Sequence, residues 1–208
     1  PHVDEKKDRS FLDKMLKKHY DKLENVVEAY TSNVDKHTPI HPEYIADLID
    51  KNADEDAIFT VDTGMCNVWG ARYITANGKR EQIGSFRHGT MANALPQALG
   101  AQAANPGRQV ITFSGDGGLS MLMGELLTVK LHNLPIKMFV FNNSSLGMVK
   151  LEMLVQGLPE HETDHDSVNF AKIAEASGIK HFRIEDPKEA PEQIKKALAY
   201  NGPALIDV

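Results

Sequence analysis

The sequence predicts an α/β fold: three layers, αβα, around a parallel sheet of about six strands. Short apolar, β-branched runs (57–61, 110–113, 136–141, 204–208) alternate along the chain with stretches of helical periodicity, the pattern of parallel strands joined by crossover helices. At 208 residues and 41% apolar content, the chain can bury one full core and has room for little else.

The elements follow in order. Ser10 to Tyr30 reads as a charged amphipathic helix with Leu12, Leu16, Leu23 and Val27 among its apolar positions. It has no evident partner within the chain, and Thr31 to Ile40 is polar, so residues 1–40 are expected to be a connector helix and linker from a preceding domain, with the α/β unit over 41–208. Pro42 suits the first turn of a helix through Ile45, Leu48 and Ile49. Ala57 to Val61 is a short buried strand, with Asp62-Thr63-Gly64 at its carboxyl end. Val110 to Phe113 is a second strand and Ile136 to Phe141 a third. Between them, Leu119, Leu122, Met123, Leu126 and Leu127 recur at helical spacing, predicting one helix from near Gly118 whose apolar face covers the sheet. A helix over Phe170 to Ser177 stopped by Gly178, a strand over Lys180 to Ile184, a helix over Pro191 to Tyr200 and a strand over Ala204 to Val208 complete the pattern.

The second and third of these strands carry the chemistry. Gly115-Asp116-Gly117, then twenty-four residues, then Asn142-Asn143 would place Asp116 and Asn143 side by side at the carboxyl edge of one sheet, where open α/β sheets bind ligands. One carboxylate and one amide oxygen suit a Mg²⁺ ion that keeps phosphate oxygens and water as its other ligands. The glycines after Asp116 let a phosphate approach the backbone at a helix start. Either dipeptide alone would read as a turn closing an ordinary strand; the pair at this spacing favours a metal-diphosphate site.

Composition excludes several classes. Lys plus Arg total 23 and Asp plus Glu 29, a net charge of −6 with no basic block, which argues against nucleic-acid binding. Cys66 is the only cysteine, so no internal disulfide can form, in keeping with a reducing, cytoplasmic setting. No apolar run approaches the ~18–20 residues needed to cross a membrane. The start, Pro1 to Arg9, resembles no signal peptide and lacks Met, so the chain is expected to be part of something longer. His161-Glu162-Thr163-Asp164-His165 matches the zinc-hydrolase pattern His-Glu-x-x-His. That chemistry needs a helix, and Gly157, Pro159, Asp164 and Asp166 argue for a mobile, solvated loop, leaving a zinc hydrolase through His161 and His165 as a remote alternative.

Gly115-Asp116-Gly117 with Asn142-Asn143 resembles the signature of thiamin-diphosphate enzymes. The segments 68–73, 77–80, 84–94 and 117–124 further resemble bacterial pyruvate oxidases, particularly the quinone-reducing pyruvate dehydrogenases, over about Phe11 to Val208. The resemblance implies the diphosphate-binding domain of the thiamin-diphosphate-binding fold. It implies that Asp116 and Asn143 bind Mg²⁺ with the carbonyl of Ser145, and that Gly117, Gly118 and Ser144 lie along the diphosphate. Met91 would wedge between the cofactor's two rings, while the Gly89 carbonyl and the Met91 N–H hold the aminopyrimidine edge. Thr90, Leu146, Gly147, Met148 and Val149 complete the implied cofactor-binding set.

The implied catalytic positions are Met148, where pyruvate oxidases carry Phe between thiamin and flavin, and Glu152, where acetolactate synthases carry a tryptophan. The implied activity is oxidative decarboxylation of pyruvate, with electrons passed to FAD and then to quinone or oxygen. Acetolactate synthase or another thiamin-dependent 2-keto acid decarboxylase is the alternative. The activating glutamate, the pyrimidine domain and the FAD domain would lie outside this chain, the fragment alone would be inactive, and the full-length protein is expected to be a homotetramer. A membrane-responsive segment absent from this chain would give peripheral contact with the inner face of the membrane.

Overall fold

The computed structural model describes residues 8–33 and 37–208. Its helices are α1 (Ser10–Thr31), α2 (Pro42–Asn52), α3 (Met65–Tyr73), α4 (Ala94–Ala104), α5 (Asp116–Leu122), α6 (Leu126–Leu131), α7 (Gly147–Val155), α8 (Phe170–Ala176) and α9 (Ala190–Ala199). The strands are β1 (Ile58–Val61), β2 (Glu81–Gly84), β3 (Val110–Gly115), β4 (Lys137–Phe141), β5 (Lys180–Arg183) and β6 (Ala204–Asp207). They form one six-stranded sheet in the order β2-β1-β3-β4-β6-β5, and every pairing is parallel. The predicted three-layer αβα fold is the observed one.

The central strands are buried on both faces because alternate residues serve two separate cores. Phe59, Val61, Ile111, Phe113, Phe139 and Ile206 face α2, α3 and α9, meeting Ile45, Ile49, Cys66, Ile194 and Leu198. Ile58, Val110, Met138, Val140 and Leu205 face the other way, onto Leu95 and Ala98 of α4, Leu119, Val129 and Phe170. Phe113 sits at the middle of the first core, edge-on to Phe59 at 5.9 Å and to Phe141 at 5.2 Å between ring centroids, separations at which aromatic pairs add to simple burial.

Three elements escaped the sequence reading. Strand β2, Glu-Gln-Ile-Gly, is a four-residue edge strand with its first two residues exposed, so it carries no apolar run. Helix α4 is built of Ala, Leu, Gln, Gly and Pro96 with almost no amphipathic contrast, and α3 is similarly weak in pattern. The crossover between β3 and β4 also differs from the single helix predicted. It starts at Asp116, breaks at Leu122, passes through a 3₁₀ turn at Met123–Glu125 and resumes as α6. That break rotates the pattern: Leu119 and Leu126 are buried, whereas Leu122, Met123 and Leu127 are exposed. The connector helix, expected to lack a partner, packs its carboxyl-terminal part against α2, with the Tyr30 ring 5.2 Å from His41. Its Phe11, Leu12 and Tyr20 stay exposed. The side chains at the predicted apolar positions Leu23 and Val27, residues 34–36 of the linker and residues 1–7 lie outside what the structure describes.

Lys137 is a buried cation at the first position of β4. Its Nζ donates to the carbonyls of Tyr200 and Gly202 at 2.5 and 2.6 Å and lies over the Tyr200 ring, tying the α9–β6 turn to the sheet. Burial lowers its pKa from 10.5 to about 8. Between those values the unfolded chain holds the proton that the folded chain has released, so this group adds stability as pH rises, and its burial penalty is fully present below about pH 8. Raised pKa values at Tyr73 and Cys66, both caused first by burial, act in the opposite sense. The measurement is therefore a difference: the stability of the wild type relative to Lys137→Met is expected to increase by on the order of 1 kcal/mol from pH 7.5 to 9.5. A pH-independent difference in denaturation midpoints would show that Lys137 keeps its ordinary titration.

Candidate functional site

The carboxyl ends of β1, β3 and β4 open into a cavity of about 880 Å³, lined by residues of the loops that follow them: Thr63–Cys66, Gly115–Gly118 and Asn142–Val149, with Met91 and Trp69. The strand order reverses between β1 and β3, and ligands of open parallel sheets bind at such a switch point. The register pairs Gly115 with Phe141, so the residues that follow each, Asp116 and Asn142-Asn143, leave the sheet edge together.

Three buried carboxylates stand along this edge, and their partners differ. Asp62, 2% exposed, follows β1; its Oδ1 accepts from the backbone N–H groups of Asn93 (2.7 Å) and Ala94 (3.1 Å) and from the Asn93 amide (3.1 Å). It thereby caps α4 from outside the helix. Burial raises its pKa, opposed by those hydrogen bonds and one from Ser114. Asp207 ends β6 and does the same for α8: Oδ2 accepts from the N–H of Phe170 at 3.0 Å, and Oδ1 accepts from the Asn142 amide at 2.9 Å.

Asp116 is the exception. Oδ1 accepts from the N–H of Gly117 at 2.7 Å, but Oδ2 is buried without a hydrogen-bond partner. A buried carboxylate oxygen left unpaired costs on the order of 1–3 kcal/mol, and a bound cation relieves that cost. The amide oxygen of Asn142 is a second buried acceptor without a partner, its nitrogen being held by Asp207 and the Val168 carbonyl. Asn143, exposed at the cavity, accepts from the N–H of Ser145 at 3.1 Å. Ser144 holds the turn with φ 54°.

Of the glycines after Asp116, Gly118 is required by space, while Gly117 sits against the ends of flexible side chains. A Cβ at Gly118 would fall 2.3 Å from Asp62 Oδ2, and one at Gly117 would fall 2.7 Å from Leu146 Cδ2 and 3.4 Å from Met91 Cε. Met91 thus faces Gly117 across the cavity. It is followed by Ala92 at φ 62°, and its loop is tied by Asn93 Nδ2 donating to the Thr90 carbonyl and by the Thr90 N–H donating to Ser85. Gly89 and Thr90 are exposed and stand outside the cavity lining, as does Glu152, on the exposed side of α7; Leu146, Gly147, Met148 and Val149 line it.

The His161–His165 segment is not helical, as expected, and His161 is exposed. Without the helical turn that brings two such histidines together, the zinc-hydrolase reading has no geometry, and the described residues contain no group of three or more His, Cys, Asp or Glu poised for a metal. The segment is pinned, contrary to the mobile loop expected. Leu146 N–H donates to the Thr163 carbonyl and His165 N–H to that of Ser144, Ser145 and Asp164 form an isolated bridge, and Lys150 reaches Glu160 and Asp164. The loop Asp62-Thr63-Gly64, expected from its place at a strand end to line the site, is there, with Thr63 and Gly64 in the cavity wall. Asp207 and His165 are site neighbours that sequence reasoning missed, and the signal for Asp207 was a lone Asp closing an otherwise apolar strand.

The residues fit a metal-bound diphosphate: an unpaired buried carboxylate oxygen, adjacent amide oxygens and a backbone stripped of Cβ atoms on the same rim. The fold and site together define a phosphate-cofactor-binding α/β unit. The thiamine pyrophosphate enzyme family, C-terminal TPP binding domain, matches residues 62–208, and the chain belongs to that family. It is 32% identical over 207 residues to the putative thiamine pyrophosphate-containing protein YdaP of Bacillus subtilis, covering 100% of this chain and 36% of that protein. It is 37% identical over 177 residues to the acetolactate synthase large subunit of Porphyra purpurea, covering 83% and 29%, and 35% identical over 171 residues to that of Lactococcus lactis, covering 81% and 30%. The chain therefore spans about a third of the length of these relatives. Of these relatives, the two with a specific activity in their names are acetolactate synthases, so the narrower resemblance to pyruvate oxidases is not what these similarities single out. Among the described residues no helix is long and apolar enough to cross a membrane.

Proposed function

We propose that this unit anchors thiamin diphosphate through a divalent ion in an enzyme that decarboxylates a 2-keto acid and joins the product to a second one, as the names of its acetolactate synthase relatives suggest. The observation that carries the anchoring is the free Oδ2 of Asp116 beside a cavity rim made of Gly117, Gly118 and Asn143. When bound, the cofactor supplies a nucleophilic carbon and an electron sink for loss of CO₂.

The chain's own residues do the rest by position. Asp116 and Asn143 hold the ion, with the Ser145 carbonyl as the third protein oxygen. Met91, fixed by the Asp62-capped turn, supports the cofactor from the side facing Gly117. Leu146, Val149 and Trp69 exclude water from the cavity. The exposed apolar side chains Leu154, Val155 and Leu158 on and after α7, and Met121, Leu122 and Leu131 on the crossover, suit contact with further domains, including one that brings a group to the aminopyrimidine.

A second reading rests on the resemblance to pyruvate oxidases, which implies that Glu152 falls where acetolactate synthases carry tryptophan and so favours oxidation of pyruvate with FAD as electron acceptor. Incubation of the full-length protein with pyruvate, Mg²⁺ and thiamin diphosphate separates the two. Acetolactate formed without any added electron acceptor supports the first; acetate formed only with reduction of an added quinone or of oxygen supports the second. No pyruvate consumption under either condition would overturn both.

A further inference from the structure

His165 stands across from the oxygen that selects Asp116. Its Nε2 lies 3.6 Å from Asp116 Oδ2, and both atoms are buried without a hydrogen-bond partner. The other ring nitrogen, Nδ1, is 3.0 Å from the Asp166 carbonyl. A carbonyl only accepts, so the hydrogen-bond network assigns the ring hydrogen to Nδ1; in the neutral ring Nε2 is then a lone pair. Two lone pairs aimed at each other in a buried site repel unless a cation lies between them. The ring is held by the backbone, through the His165 N–H on the Ser144 carbonyl at 3.0 Å. Metal-ligating histidines almost always donate their second ring nitrogen to a carboxylate, a backbone carbonyl or water, and His165 has the second of these arrangements.

We propose that His165 Nε2 is a further protein ligand to the divalent ion held by Asp116, so that the diphosphate anchor carries one nitrogen donor and prefers Mn²⁺ or Co²⁺ to Mg²⁺. The proposal rests on the reading of this cavity as a metal-diphosphate site. Neighbouring donors around an octahedral ion with bonds of about 2.1 Å stand about 3.0 Å apart, so the pair need only draw in by about half an ångström. Mg²⁺ favours oxygen donors, and an imidazole moves the balance towards first-row transition ions. The competing cation is a proton, which would make the pair an imidazolium–carboxylate contact with no role in metal choice.

The test uses the full-length protein, with Mn²⁺ as the probe, titrated with and without thiamin diphosphate. Pulsed electron paramagnetic resonance of the Mn²⁺ bound in the presence of the cofactor is expected to show coupling to a directly bound imidazole nitrogen. In His165→Leu that coupling should vanish and Mn²⁺ affinity fall by about tenfold or more, the loss typical even of outer-shell groups, while Mg²⁺ affinity changes much less. His165→Gln serves if the leucine variant does not fold, and the wild-type spectrum decides on its own. Cofactor-dependent Mn²⁺ binding without nitrogen coupling, or equal losses for Mn²⁺ and Mg²⁺, overturns the ligand assignment and leaves the anchor intact. Absence of any cofactor-dependent Mn²⁺ or Mg²⁺ binding overturns the anchor itself and this assignment with it.

Discussion

Asp116→Ala is expected to remove Mg²⁺-dependent binding of thiamin diphosphate from the full-length protein while leaving the apo fold as stable as before, or more so. The two halves of that result have one cause. In the folded chain the Asp116 carboxylate accepts a single local hydrogen bond, from the N–H of its neighbour Gly117, and its other oxygen is buried with nothing to accept from. Removing it deletes an unsatisfied group whose desolvation costs on the order of 1–3 kcal/mol, so the thermal midpoint should not fall. Binding should drop by well over the about 10–100-fold that loss of a mere supporting group costs a metal site. Calorimetric titration with and without Mg²⁺, paired with thermal unfolding, measures both. A variant that binds normally, or one that unfolds, would mean that Asp116 is structural. Asp62→Ala provides the contrast: that carboxylate accepts from two backbone N–H groups at the start of α4, so its loss should destabilise the protein.

This contrast marks the boundary of what the sequence showed. Asp116 and Asn143 were legible because each closes an apolar run, and the spacing between the runs fits one crossover; strand ends and register then follow from the parallel pairing of Gly115 with Phe141. The fold class was legible for the same reason, since β3, β4 and β6 are buried on both faces and read as continuous apolar segments. Strand β2 was not, because an edge strand with half its residues in solvent has no such pattern. Helix α4 was not, because it buries mainly small alanines, Ala98 and Ala101 beside Leu95, against β1 and β3, and a contrast between faces is not needed. The pairings that support the site were invisible for a different reason. Asp62 meets Asn93 at a separation of 31 residues, and Asp207 meets Asn142 at 65; such pairs exist only once the sheet order is fixed. Leu122, Met123 and Leu127 misled because the 3₁₀ turn shifts the helical phase, so residues at ideal spacing for one long helix finish in solvent.

Alanine at Gly118 is the second change expected to have a large effect, and it differs in kind from alanine at Gly117. The added methyl at 118 would lie 2.3 Å from Asp62 Oδ2 and 3.6 Å from the backbone nitrogen of Ala92. Asp62 cannot swing aside, because its other oxygen is held by Asn93 and Ala94. Relief must come from moving α5 or the Met91 turn, and overpacking of that sort costs about 1–3 kcal/mol; at this chain length about 2–4 °C in thermal midpoint accompanies each kcal/mol. Gly118→Ala should therefore lower both stability and cofactor affinity. At Gly117 the clash is with the end of a leucine side chain, 2.7 Å away, which can rotate into the cavity. Gly117→Ala should leave the thermal midpoint nearly unchanged and weaken cofactor binding, and Leu146→Ala in the same chain should restore part of that binding by vacating the space. A double variant that binds no better than Gly117→Ala alone would show that the methyl obstructs the diphosphate directly and not through Leu146. Equal destabilisation at 117 and 118 would mean that neither Asp62 nor Leu146 sets the shape of this rim.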